Sequence, residues 1–313
     1  MDRLSSLFSR FTPRAEVFFT GNLCEAASFA GEGGHLHLLS AGSMELLLQD
    51  GRRIAVTGPA VVFLPQPTPH QILPGSQGID LVCARVQLGQ GSLDPLFRSI
   101  PAVQVIPAEK ANTLAPALHL LFEEAAHRRC GHRAALDNLA GYFLVVLLRY
   151  LMESDQGKAG LLGALADSRL AKALVAMHER PEFNWTLEDL ADEAGMSRAR
   201  FAHHFRETVG VPPLEYLTDW RLALAQTLLE KRRPIKSIAG SVGYRSPAAL
   251  TRAFTRRLGQ APTDWMASRA IADSVKDGSS VTLLNGPSPI SRRLPPFVYR
   301  YTQDLVPPFA TCR

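Results

Sequence analysis

Two stretches, TLEDLADEAGMSRARFAHHFRETVG (186–210) and PIKSIAGSVGYRSPAALTRAFTRRLG (234–259), decide how the second half of this chain folds. They are two copies of one pattern: a helix with alanine at its middle, a glycine turn, a helix with two large apolar residues four apart, and a glycine stop. Ala191 aligns with Ala239, Gly195 with Gly243, Phe201 with Leu250, Phe205 with Phe254 and Gly210 with Gly259. The spacing is that of a helix-turn-helix. The small alanines let two helices approach, the glycines supply the left-handed turn, and Ser197 and Ser246 fit the N-caps of the second helices. Phe201/Phe205 and Leu250/Phe254 make the buried faces. The opposite faces are basic: Arg198, Arg200, His203 and Arg206 in the first copy, Arg245, Arg252, Arg256 and Arg257 in the second. Solvated helical hairpins would explain one such match; two in tandem point to entry into a DNA major groove.

Between the copies, PPLEYLTDWRLALAQTLLEK (212–231) reads as an amphipathic helix started by proline. A rigid joint of this kind fixes the separation of two readers. The run GVPPLEYL…WRLALA…LL, followed by IxxIAGSVGYxS…LTRAFTRRLGQAPTDW, resembles the DNA-binding domain of AraC/XylS-type transcriptional regulators over 165–270. Leu250 departs from the family's usual Phe. The resemblance implies base-facing positions at Arg198, Ala199, Ala202 and His203, then Arg245, Pro247, Ala248, Thr251 and Arg252, with Arg206 and Arg256 beside them. With two alanines, the first helix is expected to give methyl contacts and phosphate clamps more than hydrogen-bonded readout.

Upstream, short β-rich runs at 35–39, 44–49, 52–56, 60–65 and 79–88 alternate with turn signals AGS (41–43), QDG (49–51), TGP (57–59), PQPTP (65–69) and PGSQG (74–78). This spacing predicts a sandwich or barrel. Helical periodicity follows at 110–129, with Gly131 as its expected C-cap, and at 133–153. The second of these helices is apolar over most of its circumference, so it either packs on its own domain or forms a homodimer seam. SDQGKAG (154–160) reads as a linker, and 278–313, with six prolines, as a disordered tail.

GHLHLLSAGSMELLL…TGPAVVFLPQPTPHQILP (34–74) resembles the two cupin motifs in the version that precedes AraC-type domains. The resemblance implies a sensory β-barrel followed by a helical dimerisation segment. His35, His37 and His70 are then candidates for a divalent metal or a ligand, although Ser40, Ala41 and Gly42 stand where the cupin carboxylate is expected. The alternative is hydrogen-bonded core histidines. Cys24, Cys83 and Cys130 are candidate redox thiols: Cys83 reads equally as a small buried hydrophobe, and Cys130 lies among Arg128, Arg129 and His132.

The fold expected is therefore α+β and multidomain. It comprises a cupin-like barrel (1–109), a two-helix segment (110–153), a linker (154–164), an all-α double helix-turn-helix domain (165–270) and a Pro-rich tail (271–313). The net charge is +5, with residues 1–160 at −1, 161–270 at +4 and 271–313 at +2. A basic excess on the helical half fits a polyanion partner. The longest apolar run, 139–148, is too short to span a bilayer. No signal peptide is read at the N-terminus, and four unevenly spaced cysteines point to reduced thiols in the cytoplasm. HExxH, GxSxG, CxxC and phosphate-binding glycine loops are absent. The function expected is DNA-binding transcription regulation by a homodimer. It would respond to a small-molecule, metal or oxidant effector, with no cofactor required and no membrane partner. The competing expectation is a cupin metal-dependent enzyme fused to a helical domain.

Overall fold

The computed structural model describes residues 2–31, 33–87, 100–107, 109, 112–127, 129–154 and 159–277. A short helix α1 (Ser5–Phe8) precedes seven strands: β1 (Arg14–Leu23), β2 (Ala27–Phe29), β3 (Gly34–Leu48), β4 (Arg53–Thr57), β5 (Ala60–Leu64), β6 (His70–Gln87) and β7 (Gln104–Pro107). All pair antiparallel in one sheet, in the order β1-β6-β3-β5-β7, with β2 on β6 and β4 on β3.

Two expected turns are not turns. AGS (41–43) and PGSQG (74–78) lie inside β3 and β6, which run on through register shifts at Leu39/Ala41 and Gly42/Met44. Gly42 has φ +89, and a Cβ there would sit 2.6 Å from the Gly78 carbonyl oxygen. Glycine here bends a strand at a bulge instead of ending it.

Both faces of the sheet are buried, because side chains alternate along each strand. Leu39, Leu46, Val62, Leu64, Ile72, Leu81 and Cys83 form an inner core enclosed by the sheet. Leu36, Leu38, Phe63, Val82 and Val86 face the helices and join a second core that continues into the C-terminal half.

That second core is built on α2 (Ala115–Ala126) and α3 (His132–Glu153). Gly131, with φ +80, is the N-cap of α3 and not the C-cap of the preceding helix, which ends at Ala126. By length and composition alone α3 is long and apolar enough to cross a membrane, which the ten-residue run did not suggest. In the fold it packs on β1 and α2, burying Leu136, Phe143, Leu144, Leu147, Leu148 and Leu151. The buried positions take up one side of the helix, and Tyr142 on it stays 54% exposed.

The remaining helices are α4 (Gly160–Ala166), α5 (Leu170–Glu179), α6 (Leu187–Glu193), α7 (Arg198–Val209), α8 (Pro213–Glu230), α9 (Ile235–Ser241), α10 (Pro247–Leu258) and α11 (Pro262–Asp277). The last continues past residue 270, where the tail was expected to begin; 278–313 lie outside the described residues, as do 155–158 of the expected linker. The N-terminal arm ties the two halves together. Arg3 donates to the carbonyls of Leu165 and Ala166 at 2.8 and 2.7 Å, and Phe11 meets Trp220 edge-on at 4.9 Å.

Candidate nucleic-acid interface and buried histidine cluster

The first reader begins with a capping box. Thr186 accepts from the Asp189 N–H while the Asp189 carboxylate accepts from the Thr186 N–H, so α6 starts with its free donors satisfied. Hydrogen bonds from Thr186 hold the Asp189 carboxyl below the usual carboxylate range. Gly195 (φ +62) turns the chain, and α7 buries Phe201 and Phe205. Ser197 occupies the N-cap of α7 but makes no side-chain capping bond, contrary to expectation. In the second reader Ser246 does cap α10, accepting from the Ala249 N–H at 3.2 Å, and Leu250 and Phe254 are buried.

Of the expected reading residues, Arg198, Ala199, His203 and Arg206 on the first helix are exposed and Ala202 half-buried; around the second, Arg245, Ala248, Arg252 and Arg256 are exposed and Pro247 and Thr251 half-buried. Each set therefore shares the face opposite its buried apolar pair. His203 meets Glu207 at 3.1 Å, which places an acid on the first outer face. Arg257 is a correction. Its guanidinium donates to the Asp219 carboxylate at 2.6 Å and meets Glu215 at 3.2 Å, both on α8, so it anchors α10 to the joining helix. The hydrogen bond to Asp219 raises its pKa.

Helix α8 has 18 residues, about 27 Å at 1.5 Å each. It is locked to both readers. Arg221 donates to the carbonyls of Pro181 and Phe183, ahead of the first reader, at 2.7 Å each. A Cβ on Gly243, in the second reader's turn, would lie 2.8 Å from that same guanidinium and 2.7 Å from the Pro181 carbonyl oxygen. Glycine is required there by close approach as well as by its φ of +85, whereas Gly195 has open space around it. Neither Arg221 nor the Arg257–Asp219 pair was legible in the repeat, since their partners lie about 38 to 40 residues away.

In the other half the three expected histidines meet inside the sheet. His35 and His37 lie two apart on β3, and His70 opens β6. The protonation pattern of two of them follows from an anchor. His70 Nδ1 lies 2.7 Å from the Thr68 carbonyl oxygen, which only accepts, so Nδ1 carries the hydrogen. Burial lowers the His70 pKa, leaving the ring neutral near pH 7 and Nε2 bare. His37 Nε2, 2.9 Å away, must then donate, so His37 Nδ1 is bare and accepts from the Cys83 thiol at 3.0 Å. Burial pushes the Cys83 thiol up, which keeps its hydrogen in place, and holds His37 well below its ordinary pKa. Hydrogen bonds thus run in one direction, from Cys83 through His37 and His70 to Thr68. His35 stacks parallel to His37 at 5.8 Å between rings; its buried Nδ1 has no partner among the described residues, and burial lowers its pKa to about 4.

As arranged, this is a hydrogen-bond chain, with both His37 nitrogens engaged. Glu45, the nearest acid downstream in the motif, pairs with Arg53 at 3.1 Å on the exposed side. Among the described residues no group of three or more His, Cys, Asp or Glu side chains is arranged to hold a metal ion. The thiols are also placed differently from the expectation of four reduced cysteines. Cys24 is disulfide-bonded, while Cys83 is free and buried and Cys130 free and exposed, so Cys24 is not joined to Cys83. His132, expected beside Cys130, meets Glu124 at 3.3 Å; Arg128 lies outside the described residues.

The cupin family matches residues 2–153, and a helix-turn-helix domain family matches 190–268. The HTH-type transcriptional regulator AlkR of Acinetobacter baylyi is 30% identical over 72% of this chain and 85% of its own length. An "AraC-like transcription regulator" of Streptomyces lividans is 39% identical over 60% of this chain, and the match spans 64% of that relative. The chain belongs to the AraC family. The HTH-type transcriptional activator RclR of Escherichia coli is 29% identical over 85% of this chain and 97% of its own length. The AraC-family architecture explains the charge split, since its reader half is the basic one.

The buried chain of this AraC-family protein makes a stability prediction. Cys83→Ala leaves His37 Nδ1 without a donor in a dry interior and should cost about 1–3 kcal/mol in urea unfolding. Cys83→Ser, which keeps an O–H donor, should recover part of that loss. Equal losses in the two variants would mean the thiol hydrogen is not what His37 accepts.

Proposed function

We propose that the chain is a transcription regulator that reads duplex DNA in a sequence-specific manner through α7 and α10. It acts in the cytoplasm as a homodimer and answers to an effector met by its N-terminal domain. The observation that carries the reading is the pair of helices, each buried on one face through two apolar residues and basic on the other, braced on one joining helix by Arg221 and Arg257. Arg198, Arg206, Arg245, Arg252 and Arg256 supply the groups that clamp phosphate or read guanine, and Ala199, Ala202, Pro247, Ala248 and Thr251 supply close apolar contact. The dimer seam is the outer face of the α2–α3 hairpin, where Leu120 lies 47% exposed. The effector, a small molecule or an oxidant, acts on the sheet core around His35, His37, His70 and Cys83 and shifts the population of the DNA-binding state. The competing enzyme reading needs a metal-ligand set; His37 and His70 are engaged in the hydrogen-bond chain, and among the described residues no group of three or more His, Cys, Asp or Glu side chains is arranged to hold a metal ion.

The test is selection of duplexes from a random pool by the full chain, followed by titration of the selected site. Arg252→Ala should weaken that site by about 1–3 kcal/mol and relax preference at one base pair. Arg53→Ala, on the sheet, should change nothing. Equal affinity for selected and random duplex at about 150 mM salt would overturn the proposal.

A further inference from the structure

The two readers are related by repetition, so each surface that one turns to the other has a counterpart that the chain leaves uncovered. Within the chain, the segment entering the first reader, 180–186, receives the turn of the second. A Cβ on Gly243 would lie 2.7 Å from the Pro181 carbonyl oxygen, and Arg221 ties the Pro181 and Phe183 carbonyls to α8. The segment entering the second reader is 231–234, between α8 and α9. A third reader would cover it, and the sequence repeat has two copies. The turn of the first reader is open in the same way. Gly195 is exposed and a Cβ on it meets nothing within 4 Å, whereas its equivalent Gly243 is half-buried.

These two uncovered surfaces carry opposite charge. Lys231, Arg232 and Arg233 are exposed and form no ion pair among the described residues, and Glu230 beside them is taken by Arg269 at 2.9 Å. At the first turn, Asp192 and Glu193 stand where the covered second turn has Gly240 and Ser241. Glu193 meets Arg180 at 3.0 Å, while Asp192 is exposed and forms no ion pair among the described residues. The turn covered within the chain is thus uncharged at the two positions where the open one is acidic, and the open entry segment is basic. Opposite charges on surfaces that a repeat places in register select that pairing and speed its formation.

We propose that the Gly195 turn of one copy docks against residues 231–234 of a second copy, so that the reader-to-reader contact inside the chain continues from chain to chain. The two partners present different surfaces, so the contact lines copies up in one direction along DNA. It rests on the DNA-reading proposal and is separate from the α2–α3 seam. Readers on successive major-groove faces lie about 10.5 bp apart, so a continued series puts like sites about 21 bp apart.

The test is titration of the full chain onto three duplexes by gel mobility shift at about 150 mM salt. The first carries one copy of the site selected from the random pool. The second carries two in the same direction about 21 bp apart, and the third two about 26 bp apart, which turns the second site to the opposite side of the helix. The wild type should gain about tenfold in affinity for the second site of the 21-bp duplex, within the usual range for coupled sites. It should gain nothing on the 26-bp duplex. Arg233→Glu and Asp192→Arg, both at exposed positions, should each cut the gain to under about threefold by setting like charges together. The chain carrying both substitutions has its charges exchanged, and should recover the gain. No gain in the wild type, a gain that survives both single variants, or one that the double variant does not recover would each overturn the contact. Loss of single-site affinity in Arg233→Glu with the gain intact would assign the basic segment to phosphate and overturn it as well. In each of these cases specific binding of the wild type to the one-site duplex leaves the DNA-reading proposal standing. Equal wild-type affinity for the one-site duplex and random DNA overturns both.

Discussion

Lowering the pH from 7 to 5 should remove about 6 kcal/mol of unfolding free energy, a loss comparable to the whole stability of many domains. The contributors are three imidazoles held neutral by burial: His35 with a pKa of about 4, His178 with a pKa of about 3, and His37 well below its ordinary 6.5. In the unfolded chain each protonates near 6.5. A histidine whose folded pKa is depressed gives its full stability above pH 6.5 and loses it as pH falls toward the folded value. At pH 5 the unfolded state gains about 2 kcal/mol for each of the three. His70, also lowered by burial, adds to the same side. The depressed carboxyls of Asp2 and Asp167 act lower, below about pH 4, where the loss of their hydrogen bonds with Ser5 and His204 adds to the collapse. Urea midpoints at pH 7 and 5 measure the effect. A midpoint that stays within error between them would mean these rings are not neutral and dry.

Trp220→Ala should cost about 3–5 kcal/mol, the range for truncating a fully buried aromatic. Trp220 lies on α8, stacks on the buried His178 at 3.9 Å and 24°, and takes the edge of Phe11 from the N-terminal arm. The residue thus holds α5, α8 and the arm together, and no nearby side chain can collapse into its place without moving one of them. Phe183, 45% exposed, should lose under about 1 kcal/mol on truncation. Phe11→Ala combined with Trp220→Ala should fall short of the sum of the two, because the rings touch. A loss under about 1 kcal/mol in Trp220→Ala would show that the arm and the helical half do not share this core.

The repeat at 186–210 and 234–259 determined by itself that there are two helix-turn-helix units and which faces they turn outward. Helical periodicity and glycine turns are local, and each copy carries its own buried pair and basic stripe. The alternation on β3 likewise determined that His35 and His37 share a face, since strand side chains repeat every two residues. What the sequence did not carry were partners across long separations. The continuation of β3 through AGS and of β6 through PGSQG depends on strands meeting at a bulge, which a turn-like composition conceals. The core on the helix side of the sheet explains why one side of α3, apolar nearly all round, is covered within its own chain. The orientation of the Cys83–His37–His70 chain was decided only in three dimensions, because one carbonyl, that of Thr68, sets the tautomer of every ring before it. Arg257 shows the same division. Its place on a basic helix was readable, but its commitment to Asp219 came from the docking of α10 on α8, where a buried carboxylate recruits the nearest guanidinium.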